Sequence, residues 1–103
     1  MDDLHFLLVG TNVQMLTVLK RVIAQRKGWQ AITCKSFEAL KTALFFEECD
    51  VVLLSSGISS DEEQAIQMYV LQHYPSIKVI VHYGGGSGLL FNEVQQAFEM
   101  DKF

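Results

Sequence analysis

The sequence predicts an α/β domain on a parallel sheet, and three observations carry that expectation. Short apolar runs alternate with longer segments of helical period. The runs are apolar almost throughout, as suits strands covered on both faces. The connections between them are short, and strictly alternating strands and helices then imply right-handed βαβ units in three doubly wound layers.

The elements follow in order. His5-Phe6-Leu7-Leu8-Val9, ending at Gly10, reads as the first strand. Asn12 or Thr11 can cap the next helix, on which Met15, Val18, Leu19, Val22 and Ile23 recur at helical spacing. Gly28 ends it, as a left-handed C-terminal residue would. Residues 29–35 alternate weakly about Ala31 and Ile32, and Ser36 caps a second helix with Phe37, Leu40, Leu44 and Phe45 on one face. Residues 51–55 form the third strand. Ser60 with Glu63 has the spacing of a capping box, Asp61 and Glu62 suit the first turn, and the third helix runs to Tyr74 before Pro75. Residues 77–83 are the fourth strand and residues 84–88 a glycine turn, expected to be the most mobile internal segment. Leu90, Phe91, Val94, Ala97 and Phe98 mark a last helix.

Composition bounds the function. The 103 residues suit one domain, 1–103, with 50% hydrophobic and 19% charged residues and a single proline, which argues against disorder. A net charge of -4 disfavours nucleic acid and anionic membrane surfaces as partners. Lys20, Arg21, Arg26 and Lys27 cluster, but cations at a helix C-terminus explain them without a contact patch. No run approaches the roughly 18 apolar residues of a membrane span, and Met1-Asp2-Asp3 does not open an export signal, so a cytoplasmic location is expected. Cys34 and Cys49 fall at opposite strand ends, about 16 Å apart by strand rise, beyond disulfide reach. Histidine and cysteine spacing offers no zinc site, and no cofactor is expected.

Gly28-Trp29, Ser36-Phe37-Glu38-Ala39-Leu40 and Asp50-Val51-Val52-Leu53-Leu54 together resemble the receiver domain of bacterial two-component response regulators, over residues 4 to about 100. The resemblance implies a flavodoxin-like fold with strand order 2-1-3-4, the family's fifth strand and helix lacking a counterpart. It also locates the family's chemistry. The acidic pair that holds magnesium after strand one matches Gly10 and Thr11, the acceptor aspartate after strand three matches Ser55, and the hydroxyl residue after strand four matches Tyr83, beside His82. The family's lysine has no counterpart, and Asp2 and Asp3 precede strand one. Magnesium prefers hard oxygen ligands, and an unactivated serine hydroxyl is a poor nucleophile. The expectation is a degenerate pseudo-receiver in two-component-type signal transduction. It would catalyse nothing and would bind protein partners independently of phosphorylation.

Other readings stand beside it. Ser55, Ser56 and His82 could converge at the upper sheet edge as nucleophile and base, although serines there more often serve turns and caps. The turn at Gly84, Gly85, Gly86 and Ser87 is either a hinge or an anion cradle, so a small-ligand or anion-binding domain using Ser55, Ser56 and this turn is the alternative function. A bare edge and bare faces at the fourth strand, with Ile77, Val79, Ile80 and Val81 as contact residues, predict a homodimer.

Overall fold

In the computed structural model, the elements among the described residues run β1 (Leu4–Val9), α1 (Val13–Ala24), β2 (Trp29–Cys34), α2 (Phe37–Phe46), β3 (Val51–Leu54), α3 (Ser60–His73) and β4 (Lys78–Val81). The structure describes residues 3–55 and 57–82, together with Val94 and Gln96. The strands are parallel in the order β2-β1-β3-β4, as expected.

The pleat sorts the strand residues into two cores. Leu4, Phe6, Leu8, Val51, Leu53 and Ile80 meet Leu16, Leu19 and Ile23 of α1 on one face. Leu7, Val9, Val52 and Leu54 meet Leu40 and Leu44 of α2 and Ile66 and Val70 of α3 on the other. Every residue of β3 is fully buried, which is why that strand reads as an unbroken apolar run.

The helices begin where side chains satisfy orphan backbone donors. Asn12 Oδ1 accepts from the Met15 amide at 3.1 Å, and Ser36 Oγ accepts from Ala39 at 3.1 Å. At α3 the cap is Ser59, whose Oγ accepts from Glu62 at 3.2 Å, so the expected Ser60–Glu63 box is displaced by one residue. Gly28 takes a positive φ of 85°, but a turn through Gln25 separates it from the end of α1, and its carbonyl accepts from Leu4 as β1 begins.

Two side chains depart from the predicted apolar faces. Val18 is 49% exposed because α1 turns Leu16, Leu19 and Ile23 inward. Phe45 is 76% exposed: Leu44 takes the last inward position on α2, and the next residue lies about 100° further round the helix.

Against expectation, one face of β4 is covered and the other is partly covered. Ile80 is only 8% exposed and shares its core with Val94, which is helical and fully buried. Ile77, Val79 and Val81 pack half-buried against the α2–α3 core. Among the described residues β4 is the last strand of the sheet and pairs with β3. The glycine turn and the rest of the last helix lie outside the described residues.

Candidate functional site

The C-terminal ends of the strands bring several of the predicted residues to one level. Register pairs Val9 with Leu54 and Leu54 with Val81, so the next residues, Gly10, Ser55 and His82, stand side by side. Their backbones continue the ladder: Gly10 N–H donates to Cys34 O at 3.2 Å, Ser55 N–H to Val9 O at 2.7 Å and His82 N–H to Leu54 O at 2.9 Å. These amides are therefore spent on the sheet and are not free to cradle an anion.

Among the described residues at this level, Gly10, Thr11, Ser55 and His82, none carries a carboxylate. Thr11 Oγ1 donates to the Gly57 carbonyl at 3.1 Å, tying the β1–α1 loop to the β3–α3 loop. Gly57 has φ +91°, and a Cβ there would collide with Thr11 Oγ1. Ser55 is 7% exposed and its Oγ has no hydrogen-bond partner among the described residues, while His82 is 4% exposed. Ser56, Tyr83, Gly84, Gly85, Gly86 and Ser87 lie outside the described residues.

The magnesium that the receiver resemblance implies does not suit these groups. Gly10 offers no side chain, the Thr11 hydroxyl is turned to Gly57, and Asp3 precedes β1 at the other end of the sheet. Among the described residues no group of three or more His, Cys, Asp or Glu side chains could hold a metal ion.

A second constellation, which the sequence reading did not single out, occupies the N-terminal ends of the strands. Asp50 Oδ2 accepts from the His5 amide at 2.8 Å and lies 3.3 Å from His5 Nδ1. The Asp50 amide donates to His5 O at 2.8 Å, and its carbonyl accepts from Lys78 N–H at 3.0 Å. One residue thus joins the starts of β1, β3 and β4. His5 Nε2 lies 3.6 Å from Glu48 Oε2. Beside this cluster is a cleft of about 300 Å³ lined by His5, Phe6, Gln30, Ala31, Ile32, Glu47 and Glu48.

The cysteines are free and do not resemble reactive thiols. Burial pushes the Cys49 thiol up to about 12, opposed in part by backbone hydrogen bonding at Val51 and Leu7; the protonated Sγ donates to the Val51 carbonyl at 3.3 Å. Burial also raises the Cys34 thiol.

No known family model matches the sequence, and no curated protein matches it either. Solved structures do match in fold. The signal receiver domain of an HD domain-containing protein from Pseudomonas fluorescens Pf-5 is similar with a TM-score of 0.78 and 14% identity, over 97% of this chain and 90% of that one. A response regulator from Thermotoga maritima gives a TM-score of 0.69 at 18% identity, over 90% and 77%. The RcsB response regulator of Salmonella typhimurium gives 0.68 at 16%, over 79% of this chain and 42% of that one. Among the described residues no helix is long and apolar enough to cross a membrane. The fold of this chain is that of a response-regulator receiver domain.

Proposed function

We propose that this receiver-like domain serves two-component-type signal transduction as a protein-binding module that is independent of phosphorylation and catalyses no reaction. One observation carries the reading: where receivers hold a metal and accept a phosphoryl group, this chain has Gly10, a Thr11 hydroxyl bonded to Gly57, and a buried Ser55. A cytoplasmic location, with Cys34 and Cys49 kept as thiols, belongs to the same reading. Intact mass measurement after incubation with acetyl phosphate and Mg²⁺ tests it. No phosphoryl adduct is expected, whereas a stoichiometric adduct abolished by Ser55→Ala overturns it.

A second reading, a small-ligand or anion site at this end of the sheet, draws on the Ser55 Oγ, unpartnered among the described residues. An unsatisfied buried hydroxyl costs about 1–3 kcal/mol, which a ligand atom would relieve. A dose-dependent thermal shift with phosphate or nucleotide, lost in Ser55→Ala, would favour it.

We also propose a homodimer by strand pairing at β4, supported by its place at the end of the strand order among the described residues. Light scattering at high micromolar concentration should give the mass of two chains. A stable monomer removes this proposal.

A further inference from the structure

We propose that the outer edge of β2 and the end of α2 form a docking site for an extended partner segment that alternates apolar and Lys or Arg side chains. The site lies at the N-terminal ends of the strands, away from Ser55. It deepens the interaction-module reading and rests on it.

Three features converge there. The first is the edge itself. Among the described residues β2 pairs only with β1, and its sequence Trp29-Gln30-Ala31-Ile32-Thr33-Cys34 contains no charge and no proline. Within the strand it therefore lacks two of the usual devices that block addition of another strand, charge and proline. The second is exposed apolar surface, on the edge strand itself and at the end of α2 immediately before the cleft residue Glu47. Ile32 is 41% exposed, and Phe45 and Phe46 are 76% and 74% exposed with ring centroids 5.0 Å apart. The inward places of α2 are already filled by Leu40 and Leu44, so these two rings are not needed by the domain's own core. The cleft beside His5, Gln30 and Ile32 gives an apolar side chain a place to enter.

The third feature is charge, and it selects the occupant. Glu47 and Glu48 line the cleft, and the Glu48 side chain is 84% exposed. The negative pole of α2 ends at the same place, with no basic residue in its last turn to offset it. A cationic segment is attracted and an acidic one repelled. An extended segment suits the edge because its main chain continues the sheet while alternate side chains point to the cleft face.

A fluorescein-labelled octapeptide of alternating valine and lysine, titrated into the ¹⁵N-labelled full chain, tests the proposal. Amide shifts should cluster at residues 30–32 and 45–48. Glu47→Lys with Glu48→Lys should weaken the peptide by about ten-fold and create binding to a valine–glutamate octapeptide. Phe46→Ser, with an unchanged thermal midpoint, should weaken the first peptide by a similar factor of about ten, as loss of an aromatic anchor does. Absence of shifts at millimolar peptide, shifts elsewhere, or indifference to charge reversal overturns the proposal. Self-association of the free protein that charge reversal abolishes assigns the edge to a second copy and also overturns it. The phosphorylation reading is tested at Ser55, so the two can fail separately.

Discussion

Thr11 donates its hydroxyl hydrogen to the Gly57 carbonyl at 3.1 Å, across 46 residues of sequence, and so closes the loops where a receiver domain would open a metal site. The contact is exposed, so removing it by Thr11→Val should cost only about 0.5–1 kcal/mol. Gly57→Ala should cost more, about 1–3 kcal/mol, because alanine must hold φ +91° and its Cβ meets Thr11. Urea melts of both variants and of the Thr11→Ala/Gly57→Ala pair check this. The pair should cost less than the sum of its single changes, since Thr11→Ala makes room for the new methyl.

The Asp50 backbone ties to β1 and β4 survive substitution. Its carboxylate alone accepts from the His5 amide at 2.8 Å and meets His5 Nδ1 at 3.3 Å, so Asp50→Ala should destabilise the domain by about 1–2 kcal/mol. For a domain of this size each kcal/mol lowers the thermal midpoint by about 4–8 °C. Asp50→Asn should lose less than Asp50→Ala, because its amide oxygen can still accept from the His5 amide. Calorimetry of the two variants distinguishes a local tie from a general surface effect.

Alkaline pH should expose the burial of Cys49. Its folded thiol is raised from 9.0 to about 12, so above pH 9 the unfolded chain sheds the proton first. Stability from this group is complete below pH 9 and declines as pH rises toward 12. The wild-type protein should lose more stability than Cys49→Ala between pH 8 and pH 10.5, as read by urea midpoints. An equal loss in both removes Cys49 as the cause.

Ile80→Glu should unfold the chain, because position 80 is buried against Val94, Leu53 and the α1 face. An unpaired carboxylate there should cost more than about 3 kcal/mol. Circular dichroism and light scattering separate the outcomes: loss of helical signal is expected, and a folded monomer would show that position 80 is surface.

Much of the fold was legible because β1 and β3 are covered on both faces and so are apolar in sequence, and because Asn12 and Ser36 carry their caps locally. The cap of α3 was ambiguous for a physical reason: Ser59–Glu62 and Ser60–Glu63 have the same spacing, and only the helix phase chooses. Phe45 was misplaced because apolar spacing does not tell where a helix runs out of partners. The Gly10, Thr11 and Ser55 positions could be placed from the resemblance, and the register sets Gly10 beside Ser55. The tie from Thr11 to Gly57 and the hold of Asp50 on His5 were not legible, since both join segments about half the chain apart and no local pattern marks them.

The absence of carboxylates at Gly10, Thr11 and Ser55 is tested most directly by amide NMR with Mg²⁺ and beryllofluoride, a mimic of the phosphorylated receiver. A phosphorylation-independent module predicts unchanged resonances for Gly10, Thr11, Ser55 and Gly57 at saturating reagent. Shifts clustered on those residues, requiring both reagents together, would contradict it.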